Sequence, residues 1–519
     1  MNNFEHSKCM IPMMQVVLIC SVLFLTGCVA VKTRTAAPMA APIDITQTAC
    51  RALYEEVDAA IDDAGMRDYG AFRIQGFPYL RTTRLLSSFS HELSDASPQW
   101  SAWIDHMADL DARARALELR NLPSTAMGGR QKDTVLDELN SCRDLLIMVD
   151  LMRPGTALPV RLREAVRIPD DYVTWWQVLG LYPITAPLVS AGISAWHSRT
   201  HDTFATPLAL LPVMGKLVRW LPPATTNITA TGIPLPNKPK PLNTQQISDI
   251  LQRSRDPLGI PLPMAAELEQ LFATFAPIWE VDVVDENDHI GRVGWRGNEA
   301  TVDITHSTLY HKISHTRFGD QVLLQLNYIV WFPARPGDDI YAGKLDGINW
   351  RVTLGPNGKP WLYDTIHNCG CYHQFFLSHQ LRLRQDLPSL YFEAPLLPQS
   401  APEQQSLVLR IASRTHFIQR VYHDNVLGSQ SSVIPASQPL AWGDYNVLRS
   451  LPADEGYRSL FGEYGLIAGT ERPERFILWP MGVRSPGAMR QWGHHATAFN
   501  GRRHFDDAFL IESLFEKMQ

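Results

Sequence analysis

The sequence predicts an α+β protein, with a helical N-terminal domain followed by a mainly antiparallel, β-rich C-terminal domain. Two changes along the chain carry that expectation. From about Ile45 to Leu151 apolar residues recur at helical spacing, and from about Trp279 they alternate or run in β-branched and aromatic residues. Between these stretches lies LPPATTNITATGIPLPNKPKPL, residues 221–242, rich in Pro and Thr and without apolar periodicity, which reads as a linker. The expected organisation is an export segment over 1–27, a tether over 28–44, a helical domain over 45–220, the linker over 221–242 and a β-rich domain with a closing helix over 243–519.

The first element is an address. A polar start containing Lys8 precedes an apolar stretch from Ile11 to Leu25, followed by Thr26, Gly27 and Cys28. Fifteen apolar-rich positions are too few for a comfortable bilayer span, which needs roughly 20, and suit the hydrophobic region of a cleavable signal peptide. Leu25-Thr26-Gly27-Cys28 resembles the lipobox of bacterial lipoproteins. The resemblance covers about the first 28 residues and implies that Cys28 is acylated and becomes the new first residue. Val29 stands where an Asp would imply retention in the inner membrane, so the resemblance implies sorting to the outer membrane, with the body in the periplasm. The next stretch, VAVKTRTAAPMAAPIDIT, has the small-residue and Pro composition of a tether.

In the helical domain Cys50, Leu53, Tyr54, Val57 and Ile61 form one stripe. Trp103, Met107, Leu110, Ala114 and Leu117 form a second, and Val135, Leu139, Cys142, Leu146 and Val149 a third. Cys50 and Cys142 lie on the buried stripes of their own helices, so a bridge between the first and third helices is expected. Residues 172–196 carry no charged side chain yet contain Pro183 and Pro187, and a second apolar piece, FATPLALLPVMGKLVRWL, follows. Prolines at that spacing break a helix. The expectation is a buried, irregular part of the core. A competing reading is an apolar hairpin that leans on a membrane or partner through Trp175, Trp176, Trp196 and Trp220.

After the linker, Met264, Leu268, Leu271, Phe272 and Phe275 predict one more helix. The strands follow in WEVDVVDENDHIG, QVLLQLNYIVWF, INWRVTLGPNGKPWLYDTI and SLVLRIASRTHFIQRVY, with Pro356-Asn357-Gly358 as a hairpin turn. TVDITHSTLYHKISHTRF also reads as strand. A closing helix is expected in FDDAFLIESLFEKMQ, packing back on the sheet.

Composition bounds the function. Apolar residues make up 45 % and charged residues 19 %, which describes a globular chain. The formal charge of -6, with no basic run, argues against nucleic acid as a partner. Seven cysteines are present; Cys9 and Cys20 would leave with the export segment and Cys28 would carry lipid. Cys50, Cys142, Cys369 and Cys371 are therefore the disulfide candidates of an oxidising compartment.

Twelve of the seventeen histidines lie at or beyond His289, and the densest cluster is His367-Asn368-Cys369-Gly370-Cys371-Tyr372-His373. Three readings stand open there. The thiols of Cys369 and Cys371 form a strained, reducible disulfide; or His367, Cys369, Cys371 and His373 bind zinc or copper; or the thiols pack in the core while the histidines bond locally. His504 with Asp506 is a candidate base with its orienting carboxylate. Arg484, Arg490, Trp492, His494, His504 and Asp506 sit in a Gly- and Arg-rich stretch suited to gripping an anionic or sugar ligand. G-x-S-x-G, G-x-x-x-x-G-K, H-E-x-x-H and G-x-G-x-x-G are all absent. The favoured expectation is a lipid-anchored binding or structural module meeting an envelope protein or small-molecule ligand, and the alternative is a metal- or thiol-dependent enzyme.

Overall fold

A computed structural model describes residues 43–153, 155, 157–223, 226–228, 234–236, 241–402, 406–424 and 436–518. The export segment, Cys28 and nearly all of the tether lie outside them. The architecture is α+β, with the long helices concentrated before residue 206 and the long strands after residue 277.

The three helical stripes become the helices Ile43–Asp63, Pro98–Asn121 and Lys132–Asp150. Local chemistry sets the start of the second: the Ser97 hydroxyl accepts from the Trp100 N–H at 3.0 Å, and Pro98 stands in the first turn, where its missing N–H costs nothing. Trp100, Trp103, Ile104 and Met107 then bury one face against Tyr54, Val57 and Ile61 of the first helix and Leu139 and Leu146 of the third. The expected bridge is present. Cys50 and Cys142 are disulfide-bonded with their Cα atoms 5.2 Å apart, closing a separation of 92 residues. A hairpin, Phe72–Ile74 with Phe77–Thr82, completes this layer.

Its core also holds ions. Arg81, fully buried, reaches Asp111 at 3.1 Å and Glu118 at 2.7 Å, and Arg115 binds Asp58 beside them. Asp68 takes both arms of Arg449 at 2.7 and 2.6 Å, which ties the helical layer to a residue 381 positions away. Such a bidentate, largely buried pair fixes orientation as well as contributing energy.

The apolar segment after residue 172 departs from the expected buried irregular core. It forms two helices, Thr174–Leu179 and Tyr182–Ala205, joined through Leu181 in the left-handed region. Pro183 falls in the first turn of the second helix, and Pro187 costs only the bond to the Pro183 carbonyl, so neither stops the helix. Five large apolar side chains of the pair, Trp175, Val178, Leu179, Ile184 and Leu188, face solvent, and Phe204 is buried. Of the four tryptophans expected as interfacial anchors, Trp175 is exposed, whereas Trp220 is fully buried and donates to the Ser307 hydroxyl at 3.1 Å. No helix among the described residues is long and apolar enough to cross a membrane.

The main sheet has six strands, in the order Gln374–Leu377, Pro360–His367, Gly343–Leu354, Gln321–Arg335, Thr308–Phe318 and Ala441–Asp444. All neighbours are antiparallel except the last pair. The Pro-Asn-Gly turn is where the sequence placed it; Gly358 has φ +73°, and a Cβ there would lie 2.1 Å from the Thr244 carbonyl. A five-stranded sheet also takes in Lys216–Leu221 from before the linker, antiparallel to Ile278–Val283. Residues 47–519 accordingly form one compact unit.

Both faces of the main sheet are covered, which is why its strands read as nearly continuous apolar runs. Leu324, Leu326, Tyr328, Val330 and Phe332 face the helices Thr244–Arg253 and Ala265–Phe275, while Ile329 and Trp331 face the loop-rich stretch from Tyr445 to Met489. The C-terminal element is shorter than expected. A helix over Leu510–Leu514 turns into a strand, Phe515–Lys517, paired with Leu381–Leu383, because that edge strand supplies backbone partners the helix cannot use.

Candidate functional site

The His- and Cys-rich cluster is the connection between strands Pro360–His367 and Gln374–Leu377, at the end of the main sheet. Its turn closes on itself: the Gly370 N–H donates to the His367 carbonyl at 2.7 Å and the His367 N–H to the Cys371 carbonyl at 3.0 Å. Gly370 has φ +92°, and a Cβ there would meet the Ala496 carbonyl at 2.8 Å, so only glycine lets the covering loop approach. That loop is pinned in return, since the Asn368 carbonyl accepts from the Arg490 N–H at 3.0 Å and the Asn368 amide donates to the Val330 carbonyl at 3.2 Å.

The two histidines are drawn to different carboxylates. His367 Nδ1 lies 3.3 Å from Asp346, whose other oxygen bonds His416 Nδ1 at 2.9 Å; Arg472 stands 3.6 Å from the same carboxylate. His416 continues to Asp288 at 3.4 Å and stacks on Phe332 at 3.9 Å. Burial alone would raise the Asp346 pKa, but His367 and Arg472 hold it well below the usual carboxylate range. His373 Nε2 bonds Asp364 at 2.9 Å, and Asp364 also receives Arg351 through 2.9 and 2.6 Å bonds. Burial pushes the His373 imidazole down to about 4 despite that carboxylate. Each imidazole of the four-residue set expected for zinc or copper is thus held by a different carboxylate through one ring nitrogen, and His373 Nδ1 has no hydrogen-bond partner. Among the described residues no group of three or more His, Cys, Asp or Glu could hold a metal ion.

Cys369 and Cys371 are free thiols, not the bridge entertained from the sequence. The closed turn brings the two thiols into mutual influence: Cys371 rises well above its ordinary value through Cys369 and through burial, while burial would raise Cys369 but Cys371 and the Arg472 charge lower it on balance. Cys369 is buried and Cys371 half-buried. Glu474, also buried, shares this neighbourhood; burial raises its carboxyl to about 7 against the pull of Arg472 and Arg335.

The Gly- and Arg-rich stretch is likewise paired inward. Arg490 donates to the carbonyls of Arg484 and Ser485 at 2.8 and 2.9 Å, and Arg484 lies over the Tyr464 ring at 4.0 Å. Trp492 donates its indole N–H to Asn327 at 3.2 Å. His494 bonds Asp171 at 3.1 Å and the Tyr69 carbonyl at 2.8 Å. His504 faces Asp170 and Asp171 at 3.5 and 3.4 Å, while Asp506 receives Arg84 at 3.1 Å. The acid–base pair expected of His504 and Asp506 is therefore divided, with Asp506 bonded to the guanidinium of Arg84 and His504 facing Asp170 and Asp171.

Sequence reasoning missed a groove of about 1240 Å³ between the end of helix Pro98–Asn121 and the turns at 297–298 and 453–458. Arg120, Asn121, Lys132, Asn298, Tyr457 and Arg458 line it, with the Arg120 guanidinium 3.7 Å over the Tyr457 ring. Three distant segments build it, so no local motif could have revealed it. No protein-family model, no curated protein and no solved structure matches the chain.

Proposed function

We propose that the chain is a lipid-anchored protein of the cell envelope, held by an acyl group on Cys28, whose body acts as a binding module rather than through the His- and Cys-rich cluster. One observation carries the reading. The side chains with catalytic potential, His367, His373, His416, His494 and Arg490, each bond a carboxylate or carbonyl of the same chain. They order the covering loop on the sheet. The groove beside Arg120, lined by Arg120, Lys132, Arg458 and Tyr457 together with apolar side chains, is where an envelope protein or a small ligand would sit. The disulfide between Cys50 and Cys142 supports an oxidising compartment, and the net charge of -6 gives no reason to invoke nucleic acid.

The test is incorporation of a labelled fatty acid in a bacterial host. Wild type should take up label, run as a shorter chain than the full translation product and fractionate with the outer membrane. Cys28→Ser should lose the label. A wild-type chain that keeps residues 1–27 and stays unlabelled overturns the proposal.

A thiol-dependent activity has one observation in its favour, the two free thiols Cys369 and Cys371 in one tight turn, with Cys371 half-buried. Alkylation followed by mass measurement checks it. A pair that cycles between thiols and disulfide in a glutathione redox buffer at neutral pH supports this reading, and a pair inert to oxidant and alkylator in the folded protein removes it.

A further inference from the structure

The helices Thr174–Leu179 and Tyr182–Ala205 place an apolar ridge on the surface. Trp175 is 60 % exposed and Leu188 73 %, and Val178, Leu179, Leu181 and Ile184 lie out with them. In the second helix the exposed Ile184, Leu188, Ala191 and Ala195 recur at spacings of three and four, so they share one face, while Ala186, Thr200 and Phe204 are buried. The adjoining turn adds Phe476, 70 % exposed, with Ile477 and Trp479.

This face is presented rather than left loose. On its inner side Gln177 donates to the Met481 carbonyl at 3.0 Å, the Val173 N–H to the Gly482 carbonyl at 2.7 Å, the Gly501 N–H to the Tyr182 hydroxyl at 2.7 Å and Asn500 to Ser190 at 2.7 Å. Polar bonds thus hold the hairpin to the body along one side and aim its apolar side outward. Contiguous exposed apolar surface of this kind marks an interaction site.

The chemistry of the ridge favours lipid over protein. No charged side chain interrupts residues 172–196, and the tryptophans Trp175 and Trp479 suit a headgroup boundary. At the rim, Arg475 lies over the Phe476 ring at 4.8 Å, and Arg484, held over the Tyr464 ring, is 5.8 Å from the Trp176 ring, so two cations stand beside the apolar surface. The nearby carboxylate of Asp170 is already paired with Arg502. The chain outside the described body points the same way. Fourteen residues lie between Cys28 and Ile43, where the first helix begins, and such a tether spans at most about 50 Å. An acyl anchor on Cys28 would therefore keep the body close to a bilayer surface, raising the effective concentration of its exposed faces there.

We propose that this ridge is a second membrane contact: it lies in the interface of a phospholipid bilayer and seats the body on the membrane that the lipid anchor reaches. The choice of membrane rests on the lipid-anchor reading, but the contact itself is separable from it. The test uses the chain from residue 28 onward with Cys28→Ser, so that no acyl group is present, and vesicles of phosphatidylethanolamine and phosphatidylglycerol. The non-acylated chain should co-sediment with vesicles. Adding Leu179→Ser, Ile184→Ser and Leu188→Ser should weaken partitioning by about tenfold or more, since three side chains lose their burial in lipid. Circular dichroism and the unfolding midpoint verify that both proteins are folded.

A chain that stays in the supernatant, or one whose binding is unchanged by the three serines, overturns the proposal. So does self-association through the ridge in sedimentation equilibrium that the serines abolish without any vesicle binding, which would assign the face to a second copy. Failure of Cys28 to take up fatty acid, with vesicle binding intact, would remove the anchor and leave the ridge standing.

Discussion

The turn 367–373 with its covering loop and the hairpin 174–205 invert the usual distribution of side chains in opposite directions. Around the turn, Asp346, Asp364, Arg351, Arg472, His373 and His416 are charged or ionisable groups taken out of water. On the hairpin, Val178, Leu179, Ile184 and Leu188 are apolar groups left in it. The first region pairs its charged groups chiefly with one another, with His373 Nδ1 and Arg472 Nε left buried and without a hydrogen-bond partner, and so its chemistry is mainly internal. The second closes its polar groups beneath and leaves its apolar ones without partners, so its chemistry is external. Pairing, more than residue type, separates a structural cluster from a contact surface here.

The largest expected effect breaks the internal region. Asp346 serves His367, His416 and Arg472 together. Asp346→Ala leaves buried groups without their anion and should cost about 3–5 kcal/mol, read as a fall in the urea midpoint. A loss below about 1 kcal/mol would mean the network does not hold the loop on the sheet. Next is the covalent tie in the helical layer: Cys50→Ser with Cys142→Ser should cost about 2–4 kcal/mol, and wild type in reductant should lose the same amount. Unchanged stability in reductant would show that the bridge is not formed in solution.

A pH experiment sharpens the comparison at a single group. Burial raises the Glu474 carboxyl to about 7 from an ordinary value of 4.5, so between those values the folded chain holds a proton that the unfolded chain has released. Its contribution is complete below about pH 4.5 and is lost as pH rises toward 7. Glu474→Gln keeps the neutral shape at every pH. The variant should match wild type near pH 4.5 and exceed it at pH 8 by up to about 3 kcal/mol, the size of the shift expressed as energy. Equal stability across the range would mean that Glu474 ionises freely.

The same contrast explains what could be read in the chain. Periodicity found the three long helices, the strands flanking Pro356-Asn357-Gly358 and the bridge between Cys50 and Cys142, because each is decided by neighbours or by stripes a few residues long. Helix Tyr182–Ala205 was hidden by its prolines, whose effect depends on distance from the helix start. The site was hidden by sequence separation: His494 finds Asp171 323 positions away and His416 finds Asp346 70 away. A histidine's partner decides its role, and partners so distant leave no local trace. Strand Lys216–Leu221 lies before the Pro-rich stretch yet joins the later sheet for the same reason.

The smallest expected effect separates the two faces of one helix. Ile184 and Leu188 point outward from Tyr182–Ala205, whereas Ala186 is completely buried between them. Replacing either exposed residue by serine removes little buried apolar area and costs a few tenths of a kcal/mol in helix propensity, so the unfolding midpoint should stay within about 0.5 kcal/mol of wild type. Ala186→Leu forces extra atoms into a packed contact and should cost about 1–3 kcal/mol. If the serine variants prove as damaging as Ala186→Leu, the ridge packs against some part of the chain itself. If all three are neutral, the hairpin is not held to the body by its inner face, and the distinction between an internally closed region and an outward one fails at this helix.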